Sequence, residues 1–153
     1  MKLATSNSKR SSASLRIFST NLSVEDISQA LGIQPDKSFK MGTQLFPEQP
    51  KSYVHPFNLW ILKSDLDPTE RLESHVTGLI ELIEVKASVL ETFLDRIRID
   101  LFCGFSSMSG QGGFSLSPEL MKRLTILPIK IVVDLYPPDS SASDGELDDQ
   151  TIA

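Results

Sequence analysis

Apolar and polar positions alternate along four short stretches of the chain: "SLRIFST" (14–20), "FNLWILKS" (57–64), "IRIDLFCGF" (97–105) and "IKIVVDLY" (129–136). Period-two alternation predicts strands. Elsewhere the apolar spacing is three and four. In "LSVEDISQALGI" (22–33), Val24, Ile27 and Leu31 fall on one helical face. Ser23 is placed to cap that helix, Asp26 to close a capping box, and Gly32 to end it. The stretch from Asp67 to Arg96 predicts a long helix, with Asp67 as cap, Pro68 in the first position, Glu70 completing the box and a break near Lys86–Ser88. Ser117 and Pro118 open a third, shorter helix. "SFKMG" predicts a brief edge strand and "GGFSLS" another. Prolines at 35, 47, 50 and 56 keep the rest of 34–56 irregular.

The order is strand, helix, short strand, strand, long helix, strand, short helix, strand. It predicts an α+β fold with a mostly antiparallel sheet and helices on one face. The outline is ferredoxin-like, with an extra C-terminal helix–strand unit. A flexible N-terminus (1–13), one domain (14–136) and an acidic disordered tail (137–153) complete the division.

Side chains two apart on a strand share a face. One expected face holds Leu15, Ile17, Leu59, Ile61, Ile99, Leu101, Cys103, Ile129, Ile131, Val133 and Leu135. It is uniformly aliphatic and belongs beneath the helices. The other holds Arg16, Phe18, Asn58, Trp60, Leu62, Asp100, Phe102, Lys130, Val132, Asp134 and Tyr136. Rings among charges mark either a binding face or a face that the 34–56 segment folds across and covers.

Charge changes the picture of partners. The net charge is −5. The tail alone carries Asp139, Asp144, Glu146, Asp148 and Asp149 without Lys or Arg, so residues 1–136 balance at 15 positive and 15 negative. A neutral body argues against nucleic acid. No apolar run approaches the roughly 18 residues that would cross a bilayer, and "MKLATSNSKRSSAS" lacks the apolar core of a secretory signal, so a cytosolic protein without membrane contact is expected. Cys103, the only cysteine, rules out an intrachain disulfide or a thiolate zinc cluster.

The candidate chemistry is sparse. Strand, glycines and helix follow one another in "LFCGFSSMSGQGGFSLSPELMKRL" (101–124), the order of phosphate-binding loops. Gly113 is followed by Phe114 and Ser115, without the lysine of a Walker loop. The spacing of Gly110, Gly112 and Gly113 also misses the dinucleotide fingerprint, so a structural turn is expected. His75 lies in the long helix without a partner at metal-binding spacing and is expected at a boundary or surface. His55 lies in the proline-rich segment and could orient a ligand. Cys103 alternates with Ile99 and Leu101, which predicts a buried, inert thiol. No cofactor or metal is implied, and nothing marks a familiar enzyme.

The stretches "LRIFS", "LSVEDISQALGIQP", "KMG", the strand tryptophan in "LWIL" and "LFCGFSSMSGQGGFSLSPELMKRL…DLY" resemble the bacterial family catalogued as domain of unknown function 4279. The resemblance runs from about Ser14 to Tyr136. It implies no activity, cofactor or catalytic residue, and some small domains of this sort serve as immunity proteins beside toxins. The first functional expectation is therefore a protein-binding module, immunity-type in its most concrete form. It would use Arg16, Phe18, Lys40, Trp60, Phe102, Asp134 and Tyr136, bordered by the 34–56 loop and by the Gly110, Gly112 and Gly113 turn. The alternative is a small-molecule-binding protein or enzyme of unknown reaction with a pocket beside Trp60 and Lys40, Asp134 or Tyr136 as polar anchors. Self-association through the same face is a third reading.

Overall fold

The computed structural model describes residues 9–49 and 51–136. Its elements are β1 (Lys9–Ser19), α1 (Val24–Leu31), β2 (Lys37–Phe39), β3 (Asn58–Lys63), α2 (Leu72–Glu91), β4 (Arg98–Ser107), α3 (Pro118–Arg123) and β5 (Ile129–Tyr136). The sheet order is β2-β3-β1-β4-β5. All neighbours are antiparallel except β4 and β5, which run parallel through the α3 crossover. The order β2-β3-β1-β4 is the split β-α-β arrangement expected of a ferredoxin-like outline, and α3–β5 extends it by one unit.

Local chemistry accounts for most boundaries. Ser23 Oγ accepts the Asp26 amide at 3.0 Å, Asp26 Oδ2 accepts the Ser23 amide at 3.1 Å, and Gly32 ends α1 at φ 66°. Ser117 Oγ accepts the Leu120 amide at 3.2 Å and starts α3. The start of α2 differs from expectation. Asp67 spends its carboxylate on the amide and hydroxyl of Thr69, at 2.9 and 2.7 Å, in a turn of its own. The helix begins four residues after Pro68, with Arg71 as an N-cap that makes no side-chain bond. It is continuous through Lys86–Ser88 and stops at Glu91. "GGFSLS" forms no strand.

Residues 9–13, expected in a flexible N-terminus, are the first five of β1. Ser11 and Ala13 are buried, and the pairing with β4 runs from Lys9↔Ser107 onward. Small side chains hide the alternation there, because serine fits either face. The proposed tail, 137–153, lies outside the described residues, as do residues 1–8.

The core lies between the sheet and the three helices. Leu15, Ile17, Ile99, Leu101 and Cys103 pack against Val76, Leu79, Ile80 and Ile83 of α2, Ile27 and Leu31 of α1, and Leu120 of α3. Each buried Leu or Ile stabilises the fold by roughly 1.5–3 kcal/mol, and truncating Ile80 to Ala would cost about 2–5 kcal/mol. His75, expected near the surface, is 1% exposed within this stripe, one turn from Leu72 and Leu79.

The register corrects one strand. Ile17 faces Trp60 and Leu15 faces Leu62, whereas Arg16 faces Ile61 and Phe18 faces Leu59. Directly opposed residues share a face. Trp60 and Leu62 therefore lie under the helices, and Leu59 and Ile61 lie on the reverse face. The expected assignment of β3 is inverted; those of β1, β4 and β5 hold.

Candidate binding surfaces

The reverse face centres on an ion pair. Arg16 and Asp100 are directly opposed on β1 and β4. Arg16 Nε and Nη2 donate to Asp100 Oδ1 and Oδ2, both at 2.7 Å. The guanidinium carbon lies 4.4 Å from the Phe102 ring centre and 5.2 Å from that of Phe18. Leu59 and Ile61 complete the cluster, and Phe57 meets Phe18 edge-on at 6.0 Å. Arg16 is 3% exposed, and Phe18 and Phe102 are buried with it. Three predicted site residues thus come together, but as an internal layer in which each charged atom of the fork already has its partner.

Trp60 is absent from that layer. Its ring is fully buried in the helix-side core, and Nε1 donates to Ser28 Oγ of α1 at 3.0 Å. Trp60 is not placed to line the expected pocket on the reverse face, because its side chain points to the opposite side of the sheet. Lys40 stands exposed just past β2 and donates nothing to the ion-pair layer; its carbonyl accepts from Thr43. Asp134 and Tyr136 are on β5, on the same side as Arg16. The Tyr136 ring lies against Gly104: a Cβ there would stand 3.2 Å from the ring and 2.6 Å from Ser12 Oγ. Gly104 is thus needed for close approach, which its place inside an ordinary strand pattern did not disclose.

The glycine turn is structural in its backbone and borders a cleft. Gly110 and Gly112 have positive φ, 70° and 155°. A Cβ on Gly112 would meet Lys9 Cε at 3.1 Å and the Phe105 ring at 3.4 Å. Ser107 Oγ donates to the Gln111 carbonyl at 2.6 Å and pins the turn. The Ser117 amide, which would greet an anion, donates instead to Glu73 Oε1 at 2.7 Å. The Ser117 side chain, and after it this amide, hold the Glu73 carboxyl below its ordinary range. Between this turn and the start of α2 lies a cleft of about 420 Å³, lined by Lys9, Glu70, Arg71, Phe105, Gly113 and Phe114 among others.

The third surface lies within the 34–56 segment, which was expected only to border or cover the sheet face. The described residues between 41 and 54, in a segment expected to be irregular, fold back on themselves as an arm. Gln44 bridges Val54. The Leu45 amide donates to the Tyr53 carbonyl, and at the base the His55 amide donates to the Thr43 carbonyl and the Gly42 amide to the His55 carbonyl, each at 2.8 Å. The base is fixed by His55, buried and stacked on Phe39 at 4.4 Å, and by Asn58 Oδ1, which accepts the Met41 amide at 2.9 Å. Above it Met41, Phe46, Tyr53 and Val54 stand in solvent, with Tyr53 85% exposed. Apolar side chains inside a proline-rich segment were the available signal.

Residues 8–138 match the domain of unknown function DUF4279, and the chain belongs to that family. No curated protein and no solved structure matches it. Among the described residues no helix is long and apolar enough to cross a membrane.

Proposed function

We propose that the domain is a protein-recognition module that docks through the 41–54 arm. The observation that supports this most directly is Tyr53, almost wholly exposed on a backbone already tied by hydrogen bonds. A large ring held in place before contact loses little entropy on binding, and tyrosines so presented dominate interface energetics. The internal ion-pair layer makes the sheet a firm base for the arm. A toxin neutralised by steric occlusion is the partner that an immunity-type role would require. Affinity capture from the native host, run in parallel with wild-type and Tyr53→Ala protein, tests the reading. The variant should fold as wild type and hold the captured partner about 2 kcal/mol, or roughly thirtyfold, more weakly. Equal affinity of both chains for every captured protein would remove the arm from the proposal.

A second reading rests on the 420 Å³ cleft. Its opposed Lys9/Arg71 and Glu70/Glu73 charges beside Phe105 and Phe114 suit a small amphipathic or zwitterionic molecule. Native mass spectrometry of wild-type and Arg71→Ala protein, each exposed to a host metabolite extract, tests it: a bound mass lost in the variant supports the cleft, and identical spectra exclude it.

A further inference from the structure

The two edges of the sheet are unequal. β2 is three residues long and begins with Lys37, the short and charged form in which edges are normally protected. β5 has eight residues, "IKIVVDLY", with four β-branched side chains, and among the described residues it pairs only with β4. Val133 is 40% and Leu135 66% exposed, on the helix side of the sheet. Lys130 and Asp134 stand on the other side, and neither forms an ion pair among the described residues. Asp100, the nearest acid to Lys130 across the ladder, is already engaged by Arg16.

We propose that β5 pairs antiparallel with β5 of a second copy, about a two-fold axis through Val132 perpendicular to the sheet. The observation that selects this occupant is charge complementarity. An isologous antiparallel pair sets residues equidistant from the axis against each other. With the axis at Val132, Lys130 meets the partner's Asp134, and Asp134 meets the partner's Lys130. On the helix side Ile131 meets the partner's Val133, and Ile129 meets the partner's Leu135. Every side chain from 129 to 135 gains a matching neighbour. An axis at Val133 would set Asp134 against the partner's Val132, and one at Ile131 would set Lys130 against it. The five strands of each copy join into one continuous sheet. The exposed edge is satisfied by its own sequence, and both 41–54 arms stay at the far ends. This inference is independent of the arm's role, since the arm adjoins β2 and β3.

Sedimentation of the full chain across micromolar concentrations tests it. Wild type should dimerise. Lys130→Asp and Asp134→Lys each set like charges against each other twice and should weaken self-association roughly tenfold or more, with folding unchanged. Mixed one to one, the two variants regain both opposite-charge pairs and should form a heterodimer. A monomeric wild type, a dimer indifferent to either charge reversal, or variants that fail to associate when mixed would overturn the proposal. So would a dimer lost on Tyr53→Ala, which would move the interface to the arm.

Discussion

The two sides of the sheet both bury side chains around β1 and β4, but they do so by opposite means. The helix side is dry: Leu15, Ile17, Trp60 and Leu101 meet aliphatic stripes from α1 and α2, and the indole N–H has one partner in Ser28. The reverse side buries a guanidinium and a carboxylate between phenylalanine rings. A dry layer gains stability from each methylene that leaves water. An ionic layer gains little net stability, because two desolvated charges roughly offset their attraction, but losing one partner is expensive. The difference teaches that burial alone does not identify a binding face. Rings and charges that look available in sequence can serve each other.

The sharpest way to break this comparison is Asp100→Ala. It leaves the Arg16 guanidinium buried and unpaired, and should cost about 3–5 kcal/mol in urea unfolding. The apolar pair Arg16→Met with Asp100→Leu should be near neutral or stabilising. A loss below about 1 kcal/mol for Asp100→Ala would show that water reaches the pair and that the reverse side is open. Cys103 probes the dry side. Burial, with Asp100 adding to it, pushes its thiol up to about 12. At the same pH an ordinary thiol carries on the order of a thousandfold more thiolate. Labelling by a disulfide reagent should therefore be suppressed at least that far in the native chain and should appear with unfolding. Rapid labelling under native conditions would mean that the helices do not seal the sheet.

How much of this was legible depended on polar markers. In β1, β4 and β5, Arg16, Asp100, Lys130 and Asp134 break the apolar run and fix which side is which. "LWIL" has no such marker, so alternation divides it into two sets without saying which is inside; only the long-range pairing of Ile17 with Trp60 decides. Capping residues located α1 and α3, yet Asp67 was drawn into a local turn with Thr69 and α2 began late. The 41–54 arm was illegible for a related reason: prolines signal irregular backbone but not the cross-bridges that make it firm. His75 sat at the right spacing for the core, and only its chemistry argued for the surface.

Trp60→Phe sharpens the comparison at a smaller scale. It keeps an aromatic ring in the dry layer, removes the donor and leaves buried Ser28 without that bond. Leaving a buried hydroxyl unsatisfied costs about 1–3 kcal/mol. The expected loss in urea unfolding falls in that range, with no effect on captured partners or on self-association, since the ring faces the helices. A Trp60→Phe chain that kept full stability but lost a partner would restore Trp60 to a binding role and undo the assignment of β3.

The smallest effect concerns the one strongly polar ring in the dry layer. His75 Nδ1 and Ser64 Oγ are 2.8 Å apart, and Nε2 has no hydrogen-bond partner among the described residues. Burial lowers its pKa from the ordinary 6.5; the nearby Asp67 carbonyl, outside hydrogen-bonding geometry, and the Glu70 and Asp67 carboxylates only partly oppose this. The native state therefore prefers the neutral ring, and the unfolded chain takes up a proton first as pH falls. Stability is fully present above the unfolded value and is lost as pH drops below it toward the depressed native value. Asp26, Asp67 and Glu73 also have lowered pKa values, but their contributions fade only in the carboxylate range, below the window between about pH 7 and 5. His75→Asn retains a polar group near Ser64 and does not titrate. The stability gap between wild type and variant should shrink from about pH 7 to about 5, at no more than about 1.4 kcal/mol per pH unit. A gap that stays constant or widens would mean that the ring is hydrated, and that the helix side is less dry than its aliphatic lining implies.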